Sequence, residues 1–224
     1  MIGVILLETR FPRPAGDGGN PESYPFPVLL ETVQGAYPSR VIGEKDISLI
    51  APFIRAARVL ESRGAKGIAT SCGFLALWQR EMARSVSVPV FASSLIQVAW
   101  AYELTGRRGK IGVFTADEAS LTTAHFEGVG ASDIPFVIRG MKRGTEFYRV
   151  YIENHPDPDF LRMEEEVVRE ITAMMKENPD ISALVLECAN LPVFGKAIKK
   201  GVRVPIFDIL TLSHFVWSSV TGQE

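Results

Sequence analysis

Gly67-Ile-Ala-Thr-Ser-Cys72 and Ala183-Leu-Val-Leu-Glu-Cys188 are two similar segments of this 224-residue chain. Each is a short apolar run ending in a cysteine, as expected for a buried strand whose last residue lies at a sheet edge. The spacing from the cysteine to the next Val-Pro pair is also the same, from Cys72 to Val88 and from Cys188 to Val204. One strand–cysteine–helix–Val-Pro unit is therefore used twice in the chain.

Apolar runs rich in Val and Ile alternate along the chain with segments of helical period, which is typical of βαβ units around a parallel sheet. The sequence predicts an α/β fold of two pseudo-symmetric lobes, residues 1–105 and 106–224, with the active site between them and the last helix free to pack on the first lobe. The predicted strands are Ile2–Glu8, Lys66–Ser71, Val88–Ala92, Lys110–Thr115, Ile134–Arg139, Ile181–Glu187 and Val204–Phe207.

Three further features complete the local predictions. Asp46 is a suitable N-cap for a helix ending near Arg63, and Asp159 for a second helix. The segment 10–27 is dense in proline and glycine and predicts a surface loop or active-site lid. The three histidines are not next to either cysteine; His125 and His155 are expected at the surface, and packing or solvation is expected for His214.

Composition limits the classes of partner. The chain has a net charge of −2, with no long run of either sign, so the expected partner is a small molecule and not nucleic acid or a membrane. The N-terminal apolar stretch is too short for a signal or membrane segment, and a cytoplasmic location follows as an expectation. Two cysteines are too few for a disulfide framework, and with three scattered histidines they do not form a metal site.

The repeated cysteines suggest a chemical role. Two lobes related by a pseudo-twofold axis would place Cys72 and Cys188 on opposite faces of a bound substrate. Racemisation needs such a pair, since one group removes a proton from a carbon while the other protonates the opposite face. Thiols suit this role when backbone N–H groups at a helix start lower their pKa. The alternative is that both cysteines are ordinary buried residues.

Thr70-Ser-Cys72-Gly-Phe, Cys188-Ala-Asn190-Leu-Pro192 and Ile111-Gly-Val-Phe-Thr115 together resemble the aspartate/glutamate/hydantoin racemase superfamily over nearly the whole chain. The resemblance implies Cys72 and Cys188 as acid and base, no pyridoxal or metal cofactor, a small carboxylate substrate and a homodimer. It also implies substrate contacts from residues beside the cysteines and from the opening of the second half: Thr70, Ser71, Gly73, Thr115, Ala116, Ala189 and Asn190. Asn20, in the 10–27 loop, is a further candidate. Helix capping, or a turn at Asn20, is the alternative for the polar residues among them.

The leading functional expectation is a cofactor-independent, amino-acid-racemase-like isomerase that acts at a carbon alpha to a carboxylate. A maleate-type isomerase, a decarboxylase of the same superfamily and a non-catalytic carboxylate-binding protein are the alternatives. Glu187 departs from the pattern, because amino-acid racemases of the superfamily usually have a small residue before the second cysteine. A carboxylate there would raise the pKa of Cys188 unless it points away, so Cys72 is expected to be the readier thiolate and Cys188 the readier acid.

Overall fold

Strands and helices alternate along residues 1–222, the part of the chain that the computed structural model describes. The strands are β1 (Ile2–Leu7), β2 (Val28–Val33), β3 (Ile68–Thr70), β4 (Val90–Phe91), β5 (Lys110–Thr115), β6 (Phe136–Gly140), β7 (Ile181–Leu186) and β8 (Ile206–Phe207). The α-helices are α1 (Ile50–Ser62), α2 (Gln79–Arg84), α3 (Gln97–Leu104), α4 (Thr123–Gly128), α5 (Glu146–Tyr151), α6 (Phe160–Glu177), α7 (Gly195–Gly201) and α8 (Ile209–Thr221).

The two halves of the chain form two four-stranded sheets with equivalent strand orders. The first sheet has the order β2-β1-β3-β4 and the second β6-β5-β7-β8. Every neighbouring pair in both sheets is parallel. β3 and β7 occupy equivalent places, and the two cysteines follow them directly. The prediction of two pseudo-symmetric α/β lobes is confirmed.

One strand was missed by the sequence prediction. β2 (Val28–Val33) pairs with β1 in parallel, Ile2 opposite Val28. It lies at the edge of its sheet, and most of its residues are only partly buried. An edge strand of mixed burial that follows a proline-rich loop has neither the alternation nor the full apolar run that indicates a strand. β3, β4 and β8 are also shorter than predicted.

The helix starts follow from side-chain caps. Asp46 accepts from Ser48 N–H and opens a 3-10 turn that leads into α1, while Asp159 accepts from Arg162 N–H at the start of α6. Both predicted helices are confirmed. No helix within residues 1–222 has the length and apolar character needed to span a membrane.

The two lobes are joined by helices that pack on the opposite sheet. In α8, Ile209, Leu212 and Val216 lie in one apolar cluster with Ile2 and Phe91 of the first sheet. In return, Val98 and Ala101 of α3 share a core with Ile111 and Ala183 of the second sheet. Burial of these apolar surfaces is the main force that holds the lobes together. The exchange fixes the carboxyl ends of β3 and β7 on the same interface.

Candidate active site

Cys72 and Cys188 line the same cavity between the two lobes. The thiols are free, and the residues are 6% and 7% exposed. The cavity has a volume of about 20 Å³, which is room for about one water molecule. Its lining comes from both lobes and consists of Leu7, Phe11, Arg13, Pro38, Ile42, Ser71, Cys72, Gly73, Phe74, Ala116, Tyr151, Ile152, Cys188 and Asn190.

The proline- and glycine-rich segment 10–27 covers the cavity on the side of Cys188. Its central residue is Asp17, which is fully buried. The Asp17 carboxylate accepts from Arg13 Nη1 at 2.8 Å, from Gly19 N at 2.7 Å and from Asn190 Nδ2 at 2.6 Å. Gly18 N–H also donates to Ala189 O at 2.8 Å. Phe11 and Arg13 of this loop, called the lid below, line the cavity, and the loop is attached to the residues that follow Cys188.

The surroundings of Cys72 favour its thiolate more than those of Cys188 do. A 3-10 helix, Gly73–Trp78, begins directly after Cys72. Its backbone N–H groups at Phe74 and Leu75 face the Cys72 sulfur and lower its pKa, as does the positive charge of Arg13. These are the groups that stabilise a negative charge at a helix start.

Cys188 keeps its proton in this arrangement. Its Sγ donates to Asn190 Oδ1 at 3.3 Å, and Asn190 in turn donates to Asp17 of the lid. Burial and the charge of Glu187 raise the pKa of this thiol most; the backbone N–H of Asn190 lowers it, and the negative charge of Asp17 adds to the rise. The two cysteines therefore occupy equivalent places in the fold and unequal electrostatic environments.

Glu187 points toward the first cysteine loop. The residue is 1% exposed, and its Oε2 accepts from Thr115 Oγ1 at 2.6 Å, whereas Oε1 has no partner among the described residues. A Cβ placed on Gly73 would lie 2.2 Å from both Glu187 O and Glu187 Oε1. The carboxyl group therefore abuts the backbone between Cys72 and Phe74. Burial raises the pKa of Glu187 to about 7, and the hydrogen bond from Thr115 opposes this rise.

The sequence predicted that N–H groups at a helix start would lower the pKa of both thiols. This prediction is wrong, because in the closed cavity both pKa values are raised. Burial, with a contribution from Glu187, raises the pKa of Cys72 to about 12 despite the opposing backbone groups. The same two causes raise the pKa of Cys188 well above its ordinary value. Removal from water disfavours the charged thiolate more than a few N–H groups can offset. An incoming positive charge or an opened lid would shift both thiols toward ionisation.

The structure brings most of the predicted site residues together. Ser71, Cys72, Gly73, Ala116, Cys188 and Asn190 line the cavity. Thr70, Thr115, Ala189 and Asn20 lie outside its lining. Thr70 Oγ1 donates to Ala92 O at 2.6 Å and ties β3 to β4, and Thr115 holds Glu187. Asn20 caps the 3-10 turn Pro21–Ser23 and donates to Arg13 O, the turn role that was its alternative.

Sequence reasoning missed two functional candidates. Arg13 lies in the irregular loop, and its place between Pro12 and Pro14 was the available signal. Tyr151 is the last residue of the short helix α5, and nothing in the sequence indicated a functional role for it. The prediction for His125 is also wrong: its residue is buried, and its ring lies edge-on to Phe74 at 5.5 Å between centroids. Burial lowers the pKa of His125 to about 4.

No cluster of three or more His, Cys, Asp or Glu residues suited to a metal ion occurs in residues 1–222.

Solved structures share the fold. Allantoin racemase from Klebsiella pneumoniae superposes with a TM-score of 0.68 at 15% identity, covering 98% of this chain and 86% of that one. An aspartate racemase homologue from Pyrococcus horikoshii OT3 superposes with a TM-score of 0.57 at 21% identity, covering 97% and 98%. The chain has the fold of the aspartate/glutamate/hydantoin racemase superfamily. The resemblance drawn from the cysteine motifs is confirmed at that level, and identities this low show the fold alone.

Curated proteins similar in sequence to this chain are named for an activity other than racemisation. The chain is 28% identical over 221 residues to dimethylsulfoniopropionate lyase from Durusdinium sp. clade D, covering 96% of this chain and 73% of that protein. It is 31% identical over 231 residues to dimethylsulfoniopropionate lyase 3 from Emiliania huxleyi (strain CCMP1516), covering 98% and 59%. The chain thus spans about three fifths of the length of the second relative. No family model matches the chain.

These names correct the functional expectation. The sequence motifs led to an amino-acid-racemase-like isomerase, and the relatives that match nearly the whole chain are named lyases. The expected racemase activity and isomerase class are therefore wrong. The motifs identify the fold, and one fold can carry different reactions, so they did not distinguish a racemase from a lyase.

Proposed function

We propose that this protein is a lyase that cleaves dimethylsulfoniopropionate, or a closely related sulfonium propionate, into dimethyl sulfide and acrylate. The observation that carries the proposal is the match of 96–98% of the chain to proteins named dimethylsulfoniopropionate lyases. The cavity supports it, since it combines thiols, a cation and aromatic surface in one enclosed space.

The chemistry needs a single base. A thiolate takes the proton from the carbon next to the carboxylate, and the C–H electron pair forms the C=C bond of acrylate. The bond from the neighbouring carbon to sulfur breaks, and its electron pair leaves with neutral dimethyl sulfide. Neither product needs a proton from the enzyme. The reaction therefore uses one member of a cysteine pair as base and requires no acid of the other.

Cys72 is the better base of the two. Two backbone N–H groups and the positive charge of Arg13 favour its thiolate, whereas the Cys188 thiol donates a hydrogen bond to Asn190 Oδ1. The substrate is a zwitterion, and its sulfonium end brings a positive charge close to the thiol while its carboxylate lies at Arg13. An opposite charge at short range favours the thiolate and offsets part of the cost of its burial. Substrate binding itself thus favours ionisation of the Cys72 thiol to the thiolate that acts as the base.

The lining offers complementary surfaces to both ends of a sulfonium carboxylate. On the first lobe, Phe74 presents an aromatic ring beside Gly73, with Glu187 behind the glycine backbone. Aromatic rings and a nearby carboxylate favour a cationic group. At the lid, Arg13 supplies a guanidinium for the carboxylate. The cavity is too small for the substrate as it stands, so the lid must open to admit it.

A product assay tests the proposal. The full chain is incubated with dimethylsulfoniopropionate, and dimethyl sulfide is measured by gas chromatography while acrylate is measured by NMR. We expect equal amounts of both products from the unmodified protein and only the spontaneous background from the double variant C72A/C188A. Background levels from the unmodified protein, or equal product from the double variant, would overturn the proposal.

A further inference from the structure

The Tyr151 hydroxyl is a buried polar group without a partner on the wall of the cavity. Tyr151 is the last residue of α5 and is 2% exposed. No hydrogen-bond partner for its hydroxyl oxygen exists among residues 1–222, and the side chain lines the same cavity as both cysteines. Buried hydroxyl groups are nearly always paired, so an unpaired one in a ligand cavity points to a partner that arrives with the ligand.

The ring is fixed in place. It packs edge-on against Phe11 and Phe147, with 4.8 Å between centroids in each case. The start of α5 is anchored because the Glu166 carboxylate accepts from Glu146 N and Phe147 N at 3.0 Å each. A hydroxyl on a ring held from two sides can bind a ligand with little loss of conformational freedom.

Other polar side chains near the cysteines are already engaged within the protein. Asn190 donates to Asp17, Thr115 donates to Glu187, and Thr70 donates to Ala92 O. Ser71 Oγ accepts from Leu7 N–H. Tyr151 therefore contributes the lining hydroxyl that has neither a donor nor an acceptor within the described chain.

Arg13 approaches the same wall. Its guanidinium carbon lies 4.9 Å from the centroid of the Phe11 ring, the ring against which Tyr151 packs. Burial raises the pKa of the Tyr151 phenol above its ordinary value, so the hydroxyl keeps its proton and acts as a donor. A guanidinium and a neutral phenol on neighbouring faces are two donors that suit a carboxylate.

We propose that the Tyr151 hydroxyl donates a hydrogen bond to the carboxylate of the substrate and, with Arg13, holds that end of the molecule on the lid side of the cavity. The inference rests on the proposed function for the identity of the substrate. It adds the residue that fixes the orientation in which the carbon next to the carboxylate faces a thiol. The ligand class at this wall is a small aliphatic carboxylate.

The test uses two probes that each carry one end of the substrate. Propionate has the carboxylate alone, and dimethylpropylsulfonium has the cation alone. Isothermal titration is performed with the full chain, with Y151F and with the control Y148F, which removes a phenol from the same helix outside the cavity lining. We expect Y151F to bind propionate about 10- to 100-fold more weakly, the range for a hydrogen bond to a charged group. Dimethylpropylsulfonium binding should not change, and Y148F should match the unmodified protein for both probes.

Two further readouts separate the outcomes. Y151F should melt no lower than the unmodified protein, because the hydroxyl has no internal partner to lose, and its KM for the sulfonium substrate should rise more than its kcat falls. Unchanged propionate binding in Y151F, or an equal loss for both probes, would overturn the inference. If the protein releases no dimethyl sulfide while propionate binding still depends on Tyr151, the proposed function fails and this inference stands.

Discussion

The Cys72 loop and the Cys188 loop occupy equivalent positions after β3 and β7, and they differ in what surrounds the sulfur. Two backbone N–H groups of its own loop and the charge of Arg13 from the lid favour the Cys72 thiolate. The Cys188 loop uses its thiol as a donor to Asn190 and is tied through Asp17 to the lid. The duplicated fold fixes where the thiols lie, whereas local sequence decides what each can do. A racemase needs two exchangeable groups, and an elimination needs one base.

The residues after the two cysteines show the same asymmetry. Gly73 follows Cys72, and Glu187 lies so close to it that no Cβ could be accommodated. Ala189 follows Cys188 at the equivalent place and already carries a methyl group in an apolar cluster. The Glu187 carboxyl group of the second lobe therefore packs against the backbone of the first lobe at Gly73, whereas Ala189 O accepts a hydrogen bond from Gly18 N–H of the lid.

The largest expected effect is the difference in activity between variants of the two cysteines. C72A should reduce kcat/KM for dimethyl sulfide release by roughly 10²- to 10⁴-fold, the usual contribution of a positioned general base. C188A should reduce it by less than about tenfold, because the reaction needs no second acid. Initial rates of dimethyl sulfide formation measure both. Equal losses in the two variants would show that the thiols are not functionally distinct.

The next effect is on stability and compares Gly73 with Ala189. G73A should lower the free energy of unfolding by about 3 kcal/mol, since its methyl group would overlap Glu187 and force the two lobes apart. A189G should cost only about 1 kcal/mol, mostly from added chain flexibility. Urea denaturation at a fixed pH measures both. A cost for G73A no larger than that for A189G would mean that Glu187 moves aside easily.

The smallest effect concerns pH and the charge on Glu187. Glu187 ionises above about pH 7, and its negative charge raises the pKa of both thiols. E187Q is neutral at every pH, so its thiols should ionise at lower pH. The rate of alkylation by iodoacetamide should therefore begin to rise at lower pH in E187Q than in the unmodified protein. E22Q, which changes an exposed carboxylate of the lid, is the control and should leave the alkylation profile unchanged.

E187Q should also change how the free energy of unfolding depends on pH. The folded-state pKa of Glu187 is raised, so the folded protein binds this proton more tightly than the unfolded chain does. The stability from this group is fully present below its ordinary pKa and is lost as pH rises through about 7. E187Q should therefore gain stability relative to the unmodified protein between pH 5 and pH 8. If the difference in free energy of unfolding between E187Q and the unmodified protein stayed constant over that range, the Glu187 carboxyl group would be as well solvated in the folded protein as in the unfolded chain.

Much of the fold could be predicted from the sequence, because the repeat consists of apolar runs that recur at the same spacing from each cysteine. The positions of the cysteines at the ends of β3 and β7 followed from the repeat, and the resemblance to the racemase superfamily implied Ser71, Gly73 and Asn190, which line the cavity. β2 could not be recognised, because an edge strand of mixed burial lacks a clear pattern. Arg13 and Tyr151 come from distant parts of the chain, and tertiary packing alone brings them to the cysteines.

The direction of the thiol pKa shifts also could not be predicted. A helix start after each cysteine was visible in the sequence, and it favours thiolate. The closure of the cavity by the lid and the orientation of Glu187 toward Gly73 were not visible, and burial outweighs the helix starts. The activity could not be predicted from the motifs either, because one fold carries different reactions and the motifs identify the fold.

The central claim is that elimination begins with removal of a proton from the carbon next to the carboxylate. Single-turnover release of dimethyl sulfide, measured with substrate deuterated at that carbon and with substrate deuterated at the carbon bonded to sulfur, tests it most directly. We expect slower release from the first substrate and an unchanged rate from the second, with the rate dependent on Cys72. Equal rates for the first substrate and the unlabelled one, or loss of deuterium from the carbon bonded to sulfur, would contradict the claim.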